Sequence, residues 1–163
     1  MLKTYLIAAI LGLLFALGFA PNDLWLISIL SLTSLYFLIR DSNKKELFLI
    51  GYSFGIGLWS VGISWLYVSI YFYGNLGFIA STFLTLLFIG IISIYSGLTL
   101  FLYSYLRSNS KSVAIFSLPI AWIAVEYLRS ILFTGFPWLI SGTMLANAPL
   151  DGWTPIIGAQ GNT

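Results

Sequence analysis

The chain has 163 residues, of which 60% are hydrophobic and only 7% are charged. Soluble domains carry about 25% charged residues, so this composition excludes an ordinary soluble protein and indicates a membrane protein with several spans. The formal net charge is +2, and the basic residues stand one to three at a time between apolar runs, a pattern that excludes a nucleic-acid-binding patch.

Five apolar runs follow one another along the chain. The first two hold 16 residues each, which is short for the roughly 20 residues of a membrane-spanning helix. Lys3 and the small residues that end the first run also fit a signal peptide, but Pro21 directly after Ala20 and the second apolar run favour a span. We predict an all-α polytopic membrane protein whose transmembrane domain covers residues 1–133, with about five spans near 5–20, 24–39, 47–70, 76–106 and 113–133.

The basic residues predict the orientation of these spans. Six of the seven lie at the N-terminus and in the segments Arg40–Glu46 and Arg107–Lys111, whereas the turns Pro21–Asp23 and Tyr71–Asn75 hold none. Basic residues concentrate in cytoplasmic loops. We therefore expect a multi-pass membrane protein with a cytoplasmic N-terminus.

Residues 134–163 differ from the rest of the chain because they contain three of the five prolines and five glycines among apolar residues. The segment has too few consecutive apolar residues for a span, and tryptophans such as Trp138 and Trp153 favour the membrane interface. We predict an external, periplasmic-side or interfacial Gly/Pro-rich segment that leads to a missing sixth helix, and we expect the sequence to be a fragment.

Glu126 and Arg129 stand inside the fifth apolar run, just before Trp138. Ionisable side chains at membrane depth cost about 2.5–3.5 kcal/mol each, so their presence predicts a function. Spaced three residues apart on a helix, they can pair with each other. Alternatively, Arg129 binds a lipid phosphate through its planar guanidinium while Glu126 orients it.

The third run contains Gly51 and Gly55, whose spacing is typical of close helix–helix packing. The same run carries Trp59, Trp65 and Tyr67, which suggest an aromatic groove for a lipid chain. Interfacial aromatic residues are also an ordinary feature of spanning helices, so the run supports both interpretations.

Several motifs resemble the matching stretches of bacterial apolipoprotein N-acyltransferases. The third run contributes Gly51-Tyr-Ser-Phe-Gly-Ile-Gly and Gly62-Ile-Ser-Trp-Leu-Tyr-Val-Ser, and the fifth contributes Trp122-Ile-Ala-Val-Glu-Tyr-Leu-Arg followed by Phe133-Thr-Gly-Phe-Pro-Trp. An early Phe-Ala-Pro, a late Ala-Pro-Leu and a later Pro-Ile-Ile-Gly stand in the same order. The resemblance covers essentially the whole chain.

The resemblance implies a larger enzyme with eight membrane helices and a periplasmic nitrilase-like domain. Such enzymes transfer an acyl chain from a phospholipid, mainly phosphatidylethanolamine, to the N-terminal diacylglyceryl-cysteine of lipoproteins. A cysteine thiol forms the intermediate thioester, helped by a glutamate and a lysine of the nitrilase-like domain. The implied location is the bacterial inner membrane. The implied partners are the membrane, the phospholipid donor and the lipoprotein acceptor, with no cofactor and no nucleic acid.

The chain departs from this family because it contains no cysteine. It also contains no histidine. No catalytic residue can be assigned, and neither a disulfide nor a histidine-ligated metal site is possible within these residues. The substrate-binding candidates are Arg129, Glu126, Trp138, Trp65 and Tyr67. A small non-enzymatic membrane protein, such as a transporter or assembly subunit, is the alternative function.

Overall fold

The computed structural model describes residues 1–107, 111–146, 148 and 151–163, without the side chains of 111–115 and 151. The interior of the predicted Arg107–Lys111 loop and part of the late Ala-Pro-Leu motif lie outside the described residues. Helices and turns make up the described part, which contains no strand. The helices are α1 (Leu2–Ala16), α2 (Trp25–Ile39), α3 (Lys44–Gly62), α4 (Trp65–Val68), α5 (Phe78–Leu106), α6 (Lys111–Ile131) and α7 (Thr154–Gly161).

Helix α3 lies between α1 and α5, which are its two main packing partners. A Cβ on Gly57 would lie 1.9 Å from the backbone oxygen of Ala9, and one on Gly12 would lie 1.9 Å from that of Phe54. These glycines let α1 and α3 touch backbone to backbone.

The opposite side of α3 packs against α5 through the glycine pair noted in the sequence. A Cβ on Gly51 would lie 2.4 Å from the backbone oxygen of Ser96, and one on Gly55 would lie 3.0 Å from the Cα of Ser93. The predicted role of Gly51 and Gly55 in helix packing is confirmed.

The helices differ in whether they are long enough to cross a membrane. Helix α5 and the segment Phe116–Thr134 are sufficiently long and apolar, and α3 with the residues up to Tyr73 would count as a third span if the bent pair is taken as one. Helices α1 and α2 have 15 residues each, or roughly 22 Å at 1.5 Å per residue, shorter than the hydrocarbon core of about 30 Å. Two or three spans are thus supported by length and composition, and five remain a prediction.

The third apolar run, predicted as one span near 47–70, is broken in the structure. Helix α3 begins at Lys44 behind a capping box, in which Asn43 and Glu46 exchange side-chain-to-backbone hydrogen bonds of 3.0 Å, and it ends at Gly62. Helix α4 and a π-helical turn (Ser69–Tyr73) follow after a bend of 53°. Hydropathy alone does not distinguish this bent arrangement from a straight helix.

Two of the predicted cytoplasmic segments meet at the same end of the helices. Nη1 of Arg107 donates a 2.9 Å hydrogen bond to the backbone oxygen of Ser42. Nearby, Nζ of Lys44 lies 3.6 Å from the ring centroid of Tyr105. The α2–α3 connection and the end of α5 are therefore on one side, as the distribution of basic residues requires.

The segment after α6 folds back onto the helices. Its described residues form three 3₁₀ turns (Leu132–Thr134, Ser141–Leu145 and Asp151–Trp153) and then α7. Met144, Leu145 and Ala148 are buried in the main hydrophobic core. The predicted external Gly/Pro-rich segment is thus partly buried in protein, while its position relative to a membrane surface stays a prediction.

Candidate functional site

Helix α6 places the two candidate ionisable residues side by side in the protein interior. Glu126 is 7% exposed and Arg129 is 4% exposed. Their closest charged atoms, Oε1 and Nη2, are 3.8 Å apart. The pairing suggested by their three-residue spacing is confirmed. The pair accounts for only part of their contacts, because the chain that follows α6 also binds both.

After α6 the chain reverses through an irregular loop, residues 135–140, which we call the Trp138 loop. Phe133 and Thr134, which directly precede the loop, and Gly135 at its start have positive φ angles. The amide of Phe136 donates a 2.9 Å hydrogen bond to the backbone oxygen of Arg129. At Gly135 (φ 82°), a Cβ would lie 2.1 Å from the backbone oxygen of Ser130. Non-glycine residues in such conformations cost about 1–3 kcal/mol each and need support from their surroundings.

Arg129 provides that support by binding the backbone of the Trp138 loop. Its Nη1 donates hydrogen bonds to the carbonyl oxygens of Phe136 (2.5 Å) and Trp138 (2.6 Å), and its Nη2 lies 3.5 Å from that of Leu139. Buried backbone carbonyls require such partners, because an unpaired polar group away from water is costly. The guanidinium therefore fixes the position of the loop.

Glu126 binds the residues on the far side of the loop. Its Oε1 accepts hydrogen bonds of 2.9 Å from both the backbone N–H and the hydroxyl of Ser141, and its Oε2 accepts one of 2.9 Å from the Thr163 hydroxyl. Ser141 in turn accepts a 2.8 Å hydrogen bond from the indole nitrogen of Trp122. The carboxylate thus joins α6 to both the 3₁₀ turn at Ser141 and the end of the described chain.

The space next to the ion pair is too small for a lipid headgroup. A small pocket of about 30 Å³ borders Glu126, Arg129 and the indole of Trp59, which is room for a few water molecules at about 10–15 Å³ each. The guanidinium lies over the Trp59 ring, with Cζ 5.0 Å from its centroid. In this structure, a lipid phosphate could reach Arg129 only after the Trp138 loop had moved.

The aromatic candidates lie closer to the surface. Trp138 and Trp65 are 47% and 42% exposed, and their ring centroids are 5.2 Å apart. Phe136 links this pair to the interior, since its ring contacts those of Trp138, Trp59 and Phe88 at 5.3–6.3 Å. We call Trp65 and Trp138 the tryptophan pair.

Tyr67 is the remaining aromatic candidate and stands apart from the tryptophan pair. Its ring stacks on Tyr71 with centroids 5.7 Å apart and contacts Phe78 edge-to-face at 6.4 Å. The structure therefore divides the five predicted site residues into a buried ion pair, an exposed tryptophan pair and a separate tyrosine cluster. Arg129 connects the first two through its hydrogen bond to the Trp138 carbonyl.

Comparison with known proteins places these features in a family. The family model described as the apolipoprotein N-acyltransferase N-terminal domain matches residues 11–163. The chain belongs to this family. The match includes α2–α7 and the last part of α1, together with the ion pair, the Trp138 loop and the tryptophan pair.

Curated apolipoprotein N-acyltransferases from several bacteria align with nearly the whole chain. The Vibrio parahaemolyticus protein is 39% identical over 160 residues, which are 98% of this chain and 32% of the relative. The Ralstonia nicotianae protein is 35% identical over 161 residues, covering 95% of this chain and 30% of the relative. The Coxiella burnetii protein is also 35% identical, over 158 residues. The chain spans about a third of the length of these relatives.

The structure adds site residues that were not among the five predicted candidates. Ser141 and Thr163 bind the carboxylate, and Trp122 binds Ser141. Trp122 stands in a motif noted in the sequence, but no sequence signal marks Ser141 and Thr163, because their contacts depend on how the chain folds back after α6. Among the described residues, no group of three or more carboxylate, histidine or cysteine side chains is placed to hold a metal ion.

Proposed function

We propose that these residues form part of the membrane platform of an apolipoprotein N-acyltransferase, an enzyme that moves an acyl chain from a phospholipid to the N-terminal diacylglyceryl-cysteine of lipoproteins. The family match over residues 11–163 carries this proposal. The chain contains no cysteine, so it supplies no thiol for a thioester intermediate. Its contribution is to bind and position the lipid substrates.

In this proposal the chain lies in the bacterial inner membrane with a cytoplasmic N-terminus. The contact between Arg107 and Ser42 supports the placement of two basic segments on one side. The Trp138 loop follows the other end of α6 and would face the periplasm. Tryptophan is enriched at the interface between membrane and water, which is where the exposed rings of Trp65 and Trp138 would lie.

The tryptophan pair is the proposed contact surface for the phospholipid donor, phosphatidylethanolamine, and Tyr67 in its separate cluster is a second candidate contact. Arg129 and Glu126 contribute indirectly, because their hydrogen bonds hold the Trp138 loop and the adjoining Ser141 in place. Direct binding of a phosphate by Arg129 would require its N–H groups to leave the loop carbonyls. The diacylglyceryl lipoprotein acceptor is expected to approach the same external face.

A chimeric enzyme tests the proposal. The present 163 residues would replace the aligned part of the Vibrio parahaemolyticus relative, and the chimera would be expressed in bacteria depleted of their own N-acyltransferase. We expect mass spectrometry of lipoprotein N-terminal peptides to show the mass of one added acyl chain. The same chimera with Arg129→Gln should show less acylation, because the Trp138 loop loses its support.

Two controls make the outcome decisive. The intact Vibrio protein gives the full acylation signal, and immunoblotting of membranes gives the amount of chimera. A chimera that is present at the normal level but leaves lipoproteins without the added acyl chain would contradict the proposal. That result would favour the non-enzymatic alternative.

A further inference from the structure

The small pocket beside the ion pair is bordered by a buried indole whose N–H has no hydrogen-bond partner among the described residues. This indole belongs to Trp59, which is 2% exposed. Its ring already contacts the guanidinium of Arg129 and, at 6.0 Å between centroids, the ring of Phe136. Neither contact satisfies the N–H. A buried donor of this kind is costly when unpaired, and ordered water is a common partner for it.

The ion pair itself also has unused hydrogen-bonding capacity. Nη2 of Arg129 lies 3.8 Å from Oε1 of Glu126, which is longer than the 2.7–3.2 Å typical of a hydrogen bond. The carboxylate can accept about four hydrogen bonds and receives three, two from Ser141 and one from Thr163. Buried ion pairs are stable only when further hydrogen bonds satisfy such remaining positions. A polar contact longer than about 3.5 Å is a usual place for a bridging water.

The size and lining of the pocket indicate the chemistry of its ligand. Its volume of about 30 Å³ exceeds the roughly 10–15 Å³ that one water molecule needs, and pockets that stay dry are lined by apolar groups. Here the lining includes both charged side chains and, from α5, the hydroxyl-bearing residues Ser96 and Thr99. The two charges of the ion pair balance each other, so a neutral ligand fits better than a further ion.

We propose that this pocket is a hydration site between α3 and α6. One water molecule accepts a hydrogen bond from the indole N–H of Trp59 and donates one to the carboxylate of Glu126, and Nη2 of Arg129 donates to the same water. The water therefore completes the hydrogen bonding of the ion pair and joins it to α3. Ionisable side chains within membrane helices characteristically face a water-filled cavity. The inference is independent of acyl transfer.

A sulfur isostere of tryptophan tests this bridging water. Replacement of Trp59 by 3-benzothienylalanine, introduced by amber suppression, keeps the shape of the ring but substitutes sulfur for the N–H group. In detergent micelles we expect the ratio of folded to unfolded protein at a fixed fraction of sodium dodecyl sulfate to fall about two- to tenfold, as loss of one hydrogen bond requires. Far-ultraviolet circular dichroism measures the ratio without relying on tryptophan fluorescence.

Two other tryptophans serve as matched controls for the isostere. The N–H of Trp122 donates a 2.8 Å hydrogen bond to Ser141, so the same replacement there should lower the ratio by a similar factor. Trp153 is 58% exposed, and replacement at this position should change the ratio less than twofold. The second control measures the effect of the sulfur atom alone.

Nuclear magnetic resonance detects the water directly in the unmodified 163-residue chain. The six tryptophans are labelled with ¹⁵N, and Trp59→Phe identifies the indole signal of Trp59. We expect a cross-peak between this indole proton and water that has opposite signs in laboratory-frame and rotating-frame experiments. Opposite signs indicate a bound water, whereas hydrogen exchange with the solvent gives the same sign in both.

The proposal requires both results. If the N–H of Trp59 is unpaired, the isostere removes an unsatisfied donor, and the folded-to-unfolded ratio should stay the same or rise. Either of these outcomes would overturn the bridging water. So would a Trp59 indole signal that shows no bound-water cross-peak, whatever the stability of the isostere, because a loss of stability would then reflect only the larger sulfur atom.

Discussion

Replacement of Arg129 by glutamine tests whether the guanidinium supports the Trp138 loop. The substitution removes the positive charge and the two Nη1 hydrogen bonds to the carbonyls of Phe136 and Trp138. It also leaves Glu126, which is 7% exposed, without its cation. The hydrogen bonds from Ser141 and Thr163 to the carboxylate would remain.

The expected loss of stability is large because the site is buried. Each hydrogen bond that involves a charged group contributes about 1.5–3 kcal/mol, and removing one partner of a buried ion pair costs about 3–5 kcal/mol. We expect Arg129→Gln to lower the free energy of unfolding by about 3–5 kcal/mol. Arg129→Lys should fall between wild type and Arg129→Gln, because lysine keeps the charge but has no planar fork to span several carbonyls.

The assay is unfolding in detergent micelles by increasing fractions of sodium dodecyl sulfate, followed by tryptophan fluorescence. Arg107→Gln is the matched control, since Arg107 is exposed and bonds one backbone oxygen; surface changes of this kind usually cost about 0.5 kcal/mol or less. If Arg129→Gln destabilises the protein no more than Arg107→Gln does, the guanidinium does not hold the loop. Adding Glu126→Gln to Arg129→Gln should cost less than the two single losses combined, because the two side chains interact.

Three further predictions follow from backbone contacts and topology. Gly57→Ala should lower the unfolding free energy by about 1–3 kcal/mol, because its Cβ would lie 1.9 Å from the α1 backbone, while Gly90→Ala, whose nearest contact would be 3.5 Å away, should be neutral or stabilising in the same assay. Gly135→Ala should be destabilising by at least about 1 kcal/mol, since its φ is 82° and its Cβ would overlap a carbonyl oxygen; wild-type stability would refute the close loop packing. Cysteines at Asn43 and Asn75 should react with a membrane-impermeant maleimide from opposite sides, with Asn75→Cys labelled from the periplasm; labelling of both from one side would contradict the predicted topology.

The helices were the most predictable part of the fold, because long apolar runs are visible in the sequence. The predicted run 76–106 became α5, and the run 24–39 became α2, with starts that differ by one or two residues. The first run was predicted to reach residue 20, but α1 ends at Ala16. Residues 17–20 are apolar or glycine, so hydropathy does not show where the helix ends. In the structure the chain has already turned toward α2 here, and Gly18 packs against Ser28 of that helix.

The candidate site was predictable only in part. Ionisable side chains in an apolar run marked Glu126 and Arg129 as site candidates, and their three-residue spacing predicted that they pair. The partners that define what the pair does are backbone carbonyls of the Trp138 loop and the hydroxyls of Ser141 and Thr163. Carbonyl groups carry no sequence signal, and their direction depends on positive φ angles that the sequence indicates clearly only at Gly135.

The central claim is that the tryptophan pair contacts the phospholipid donor, and donor kinetics of the purified chimeric enzyme test it directly. We predict that Trp138→Ala raises the KM for phosphatidylethanolamine about five- to tenfold, as truncation of an aromatic contact residue does, with kcat little changed because binding is lost equally in the ground and transition states. Trp153→Ala, which removes a ring 58% exposed outside the pair, should leave KM unchanged. An unchanged KM in Trp138→Ala, with the enzyme folded and active, would contradict the claim.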